Sequence, residues 1–176
     1  MGPHSAADVD RLHRETLVFD GHNDTPVERV VRGEAPLRWM QRDPAYHTDV
    51  PRMREGGYDG GVFIVGNGVK ADLMVTTERV LSQVEAHPEV LALARRVGDI
   101  EAAKVSGRIA ILMGVEGASK WLAGRIEMVP MLHRLGIRLL GITHGEGGGE
   151  PGMLQGSRSF FGTCTAAERE AHRREA

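Results

Sequence analysis

Arg108-Ile109-Ala110-Ile111-Leu112-Met113-Gly114-Val115-Glu116-Gly117 is the stretch on which the fold turns. Apolar residues run through it without alternating with polar ones, the pattern of a strand buried on both faces. It stops at a carboxylate followed by glycine. Upstream, Gly60-Gly61-Val62-Phe63-Ile64-Val65 reads the same way. Downstream lies Ile137-Arg138-Leu139-Leu140-Gly141-Ile142, which ends in Thr143-His144. Near the start, Leu17-Val18-Phe19 is a short strand that runs into Asp20-Gly21-His22-Asn23-Asp24. Helical patterns lie between these runs. Ala71 to Ala86 is amphipathic, with Leu73, Thr77, Val80, Leu81 and Val84 on one side. Ile126, Val129, Leu132 and Leu135 recur every three residues, and Gly136 closes that helix. The resulting order, β-α-β-α-β-α-β, predicts a parallel sheet covered on both faces.

The remaining segments are less regular. Ser5 caps a short helix ending at Glu15, with Val9 and Leu12 on one face. Pro26 to His47 reads as a long polar loop with one helical turn, punctuated by Trp39 and Pro44. Thr48 is placed as the N-cap of a helix that Gly56-Gly57 ends. Val90 to Ala94 fits a strand or a helix equally, and a helix near Asp99 to Val105 follows. Thr165 to Ala176 is charged and helix-prone.

Composition bounds the function. The chain has 176 residues, 41% of them hydrophobic and 26% charged, which suits one soluble globular domain. Twenty-two Lys and Arg against 24 Asp and Glu give a net charge of -2, so neither a basic nucleic-acid surface nor an acidic tail is present. One cysteine, Cys164, excludes an internal disulfide and a Cys-rich zinc site. The apolar runs are too short to span a membrane, and no signal peptide opens the chain, so a cytoplasmic location is the expectation.

Three strands end in groups able to do chemistry: His22 and Asp24, then Glu116, then His144. In a parallel α/β fold the carboxyl ends of the strands share one face, where sites are built. Residues i and i+2 of a strand point the same way, so His22 and Asp24 can converge on one atom. Imidazole nitrogen and carboxylate oxygen are ordinary zinc ligands, and Glu116 is placed to supply a third. Asp20 alternates with both and is read as orienting a ligand. Each residue also has a plainer reading. Asp24 before Thr25-Pro26 suits a helix-capping turn, Glu116 a solvated loop, and His144 a core-edge histidine bonded to backbone. The recurrence at one end of successive strands favours a shared site.

Other motifs fall short. Gly66-Asn67-Gly68 follows a strand, but Lys70-Ala71 completes neither a dinucleotide fingerprint nor a P-loop. No Gly-x-Ser-x-Gly elbow occurs. Cys164 with His172 lacks a positioned third group. His13, His87, His133 and His172 read as surface residues.

Four stretches are specific. Phe19-Asp20-Gly21-His22-Asn23-Asp24, followed by Thr48-Asp49-Val50-Pro51-Arg52-Met53-Arg54-Glu55-Gly56-Gly57, resembles the start of the membrane dipeptidase (renal dipeptidase) family, peptidase family M19. Ile111 to Gly117 resembles that family's third barrel strand, and Leu132 to His144 its later Leu-Gly-x-Arg stretch ending in Thr-His. The resemblance runs from about Leu17 to His144.

It implies an α/β fold of TIM-barrel (β/α)8 metallohydrolase type, with 1–176 forming the N-terminal part of a single hydrolase barrel. It implies a zinc-dependent dipeptidase carrying two ions, with a dipeptide as substrate and a metal-activated water as nucleophile. Residue by residue, His22 and Asp24 match ligands of the first zinc. Glu116 matches the carboxylate bridging both ions, and His144 matches a residue touching the substrate. Gly145 to Gly152 departs from the family's Asn-containing continuation. The family's later histidine ligands and aspartate have no counterpart here. A full barrel needs about 250 residues, so the expectation is the N-terminal half, inactive by itself. Its open edges invite self-association into a homo-oligomer. Two further readings stand beside this one: an inactive half-barrel serving as a binding or assembly module, and an amidohydrolase-like enzyme acting on another amide or ester.

Overall fold

The computed structural model describes residues 5–67, 72–122 and 124–142. Thr143, His144, the Gly-rich stretch 145–152, Cys164 and the charged stretch 165–176 with His172, expected to be helical, lie outside them. Among the described residues the order is α1 (Ala6–Glu15), β1 (Phe19–Asn23), α2 (Thr25–Val31), α3 (Val50–Glu55), β2 (Gly60–Asn67), α4 (Leu73–Ala86), β3 (Leu91–Leu93), α5 (Val97–Val105), β4 (Ile109–Glu116), α6 (Ala118–Leu122), α7 (Val129–Leu135) and β5 (Ile137–Leu140). A single 3-10 turn, Ile126–Met128, leads into α7.

All strand pairs are parallel. The sheet runs β1-β2-β4, and two strands share the far edge of β4. β3 pairs with its first residues, Leu91 opposite Ile109, and β5 with its last, Met113 opposite Ile137. The described residues therefore hold five strands where the sequence pattern marks four. The fifth is β3, the Val90–Ala94 stretch that suited strand or helix. Three residues are too few to show a period, and the open edge of β4 decides the matter.

Alternation along the strands separates two cores. Phe63, Val65, Ile109, Ile111, Met113 and Val115 face α4 and α7, with Leu73, Val80 and Leu132 against them. Val62 and Ile64 face the other way, with Val27 of α2 and partly buried Phe19, Leu112 and Leu139. β2 is buried along its whole length, as its unbroken apolar run requires.

Local chemistry starts and stops the helices. Ser5 and Asp8 form a capping box at α1. Asp72 Oδ1 accepts from Met74 N and Val75 N at α4. Gly136, at φ +99°, ends α7 in the left-handed conformation.

Three expectations need correction. β1 is not Leu17–Phe19. It covers Phe19–Asn23, so the polar cluster is itself the strand, because pairing with Gly60, Gly61 and Phe63 of β2 is a backbone matter. Residues 32–47 form the expected irregular loop, but the helical part before them is longer than one turn. α2 takes Thr25–Val31, with Pro26 in its first turn. Trp39 is 1% exposed and packs edge-on against Phe63, ring centroids 5.0 Å apart. Finally, Asp49 rather than Thr48 caps α3, accepting from Arg52 N at 2.9 Å. The carboxylate outcompetes a neighbouring hydroxyl for the bare N–H groups, and Thr48 is used elsewhere.

Candidate metal centre

β1 and β4 flank β2, and their carboxyl ends carry the groups of interest. His22 Nε2 lies 3.4 Å from Asp24 Oδ1 and 3.3 Å from Glu116 Oε2. One ligand atom from each residue falls within 4.8 Å of the other two. His22 and Asp24 are about half exposed, whereas the Glu116 side chain is mostly buried. Four ligands at roughly 2.1 Å in a tetrahedron stand about 3.4 Å apart. The two His22 separations match that spacing.

Asp24 supplies a second test. It sits at the N-cap position of α2, yet its side chain makes no cap hydrogen bond. Its Oδ1 is sealed from solvent and accepts no hydrogen bond from any described residue. Capping falls instead to Asn23, whose Oδ1 accepts from Thr25 N at 3.1 Å. A buried carboxylate oxygen without a donor is costly unless a cation faces it. The residues therefore fit a divalent ion bound through nitrogen and oxygen.

Asp20 braces this corner. Its Oδ1 accepts from the His22 backbone N–H at 3.0 Å. Its Oδ2 accepts from Asn23 Nδ2 and from the Tyr58 hydroxyl, both at 3.3 Å. Asp20 thus fixes the backbone beneath His22 rather than the ring. Burial, reinforced by the Asp20 charge, pushes the Tyr58 phenol well above its usual range, so it remains a donor to Asp20. Thr48 hydrogen-bonds Thr25 side chain to side chain, and Asn23 lies within reach of it. A pocket of about 340 Å3 opens beside the cluster, between the end of β1, the first turn of α2 and Tyr46–Thr48.

The structure thus brings His22, Asp24 and Glu116 together, with Asp20 under them, and does not describe His144. Sequence reasoning passed over Asn23, Thr25, Thr48 and Tyr58. Asn23 had a signal: as the residue between His22 and Asp24 on a strand, it must point the opposite way, into the packing behind the site. Tyr58 and Thr48 had none, since they reach β1 from distant segments.

A parallel α/β sheet with a possible N/O ligand set at its carboxyl rim fits one class of fold, the TIM-barrel type. The comparisons narrow it. The model of the membrane dipeptidase family, peptidase family M19, matches residues 6–148, so the chain belongs to that family. It is 28% identical over 144 residues to dipeptidase ataJ of Aspergillus terreus, covering 72% of this chain and 35% of that protein. It is 31% identical over 156 residues to dipeptidase verJ of Clonostachys rogersoniana, covering 76% and 39%. Among solved structures it resembles dipeptidase AC, a metallopeptidase of family M19, with TM-score 0.63 and 26% identity over 71% of this chain and 42% of that one. The chain thus spans about two fifths of its relatives' length and corresponds to the family's N-terminal portion. No helix among the described residues is long and apolar enough to cross a membrane.

Proposed function

We propose that this chain carries the first metal-binding corner of a zinc-dependent dipeptidase. His22 and Asp24 hold the cation from the end of β1, and Glu116 adds a carboxylate from the end of β4. Asp20 positions His22, and His144 contacts the substrate, as the family resemblance implies. The observation that carries this reading is the sealed, undonated Asp24 Oδ1 beside His22 Nε2 and Glu116. When bound, a divalent cation supplies Lewis acidity toward a peptide carbonyl and lowers the pKa of a bound water. The chain's own residues do the rest. Asp20 and Tyr58 stiffen β1, Asn23 ends it, and β4 holds Glu116 against His22 with little side-chain freedom. The substrate class is a dipeptide. The complete reaction needs the later part of the barrel, and the 176-residue chain by itself is expected to show no dipeptide hydrolysis.

Calorimetric titration of the purified chain with zinc tests the reading. One site is expected, weakened tenfold or more by Asp24→Asn, which removes the charge and keeps the shape. Absence of binding, or full affinity in Asp24→Asn, would sink it.

A further inference from the structure

Gly66 and Asn67, from the Gly66-Asn67-Gly68 motif that suits neither phosphate nor dinucleotide binding, are the last two residues of β2. Alternation along β2 places Val62 and Ile64 on one face and Phe63 and Val65 on the other. The register slips between Ile64 and Gly66, so Ile64 stands opposite Gly114, Gly66 opposite Val115 and Asn67 opposite Glu116. A Cβ on Gly66 would lie 2.9 Å from Leu73 Cδ1, the side of Val65 and α4. Val65 and Gly66 therefore face the same way, as in a bulge, and Asn67 returns to the face that carries Glu116. In a parallel ladder, register partners point to the same side.

His22 on β1 and Glu116 on β4 meet across β2, the strand between them. The last residue of β2 on that face is Asn67, so the register puts it on the face where His22 and Glu116 meet. Asn67 is only 5% exposed, and its Oδ1 accepts no hydrogen bond from any described residue. Two buried oxygens without donors, Asp24 Oδ1 and Asn67 Oδ1, thus stand at one rim. Two buried oxygens without donors, at a rim that also carries a carboxylate and an imidazole, suit a positive charge.

Resting on the metal-site reading above, we propose that Asn67 is an additional, neutral oxygen ligand for the cation held by His22, Asp24 and Glu116. A carboxamide oxygen adds a hard donor without adding charge. It therefore favours manganese over zinc relative to the three-residue set alone.

The test uses the full 176-residue chain, titrated with zinc and with manganese, together with thermal melts of the metal-free protein. Asn67→Leu keeps the branching at Cγ and removes the oxygen. It is expected to weaken manganese binding by about tenfold or more, and zinc binding less. The metal-free melting temperature should hold or rise, because an unsatisfied buried polar group is gone. Asn67→Asp is expected to tighten both metals. His22→Ala serves as the control: if it leaves cation binding intact, the metal-site reading fails and this proposal with it. If His22→Ala abolishes binding while both Asn67 variants keep wild-type affinity, the proposal alone fails. A lower metal-free melting temperature in Asn67→Leu with unchanged metal affinity would mark Asn67 as a packing residue and overturn it.

Discussion

β4 and residues 32–49 are ordered by opposite means. β4 is held by apolar burial between two layers, with Ile109, Ile111, Met113 and Val115 each at most 2% exposed. Residues 32–49 hold Leu37 and Trp39 in the core, but their course is set by buried charge. Arg29, fully buried, donates through Nη1 to both Glu34 oxygens at 3.0 Å and lies within 3.4 Å of Asp43. Its Cζ stands 3.9 Å from the centroid of the Tyr46 ring, a cation–π contact. Asp49, also fully buried, accepts from Asp43 N, Arg52 N and Arg52 Nε. Arg52 Nη2 in turn donates to the carbonyls of Asp43 and Tyr46. The contrast bears on function. β4 places Glu116 through a frame that tolerates no charge, while the charged segment delivers Tyr46–Thr48 to the wall of the pocket beside His22.

The largest expected effects set the two regions side by side. Phe63→Ala removes the ring on which Trp39 packs, and large-to-small core changes of this kind cost about 3–5 kcal/mol. Arg29→Ala leaves Glu34 and Asp43 without their buried partner, and breaking such a pair costs about 3–5 kcal/mol. Urea unfolding of the two variants should give similar losses near neutral pH. At pH 3 the Arg29→Ala deficit should shrink, because Glu34 needs the cation less as it takes up a proton, while the Phe63→Ala deficit should persist. Equal behaviour at both pH values would break the distinction between the regions.

That distinction also explains what could be read from the sequence. β2 and β4 were legible because burial on both faces writes an unbroken apolar run. His22, Asp24 and Glu116 were legible because strand ends converge in any parallel sheet. The order of residues 32–49 was not, since Arg29, Glu34, Asp43 and Asp49 carry no period and owe their places to partners fixed only after folding. β1 was misplaced for a related reason. Its backbone follows the ladder of β2 while its side chains obey the needs of a site, so polarity hid the strand. Asn67 carries no signal of its face in the sequence, because a bulge that only pairing reveals decides which face it joins.

A smaller effect follows from pH alone. Burial by itself would raise the Asp49 carboxyl, but the Asp43 and Arg52 N–H groups and the Arg52 guanidinium together hold it below the ordinary value. Glu34 behaves alike: burial opposes ionisation, and the Arg38 N–H and Arg29 win. A carboxyl whose folded pKa is depressed contributes stability that is complete above its unfolded pKa, about 4, and is lost as pH falls through the folded value. Stability should therefore hold from pH 7 to 5 and fall below about 4. Asp49→Asn should lower stability at pH 7 by about 1.5–3 kcal/mol, the worth of hydrogen bonds to a charged group. It should also flatten the acid limb, as read from urea midpoints between pH 6 and 3. An acid limb as steep in Asp49→Asn as in the wild type would remove Asp49 from the account.

The smallest effect isolates burial as the deciding variable. The Glu34 carboxylate is contacted by two arginines: Arg29, whose side chain is 0% exposed, and Arg38, whose side chain is 62% exposed. The Arg38 guanidinium lies 3.5 Å from Glu34 Oε1, and its backbone N–H donates to Glu34 Oε2 at 3.2 Å. Only the first of these contacts is lost on truncation, since the backbone donor survives. An exposed ion pair in high dielectric, with a long side chain to immobilise, is worth about 0–0.5 kcal/mol. Arg38→Ala should therefore move the urea midpoint hardly at all, and raising the salt concentration should erase whatever shift remains. Arg29→Ala should stay costly in the same salt, because a pair out of contact with water is screened far less. A loss for Arg38→Ala comparable to that for Arg29→Ala would mean that charge count, rather than burial, orders residues 32–49.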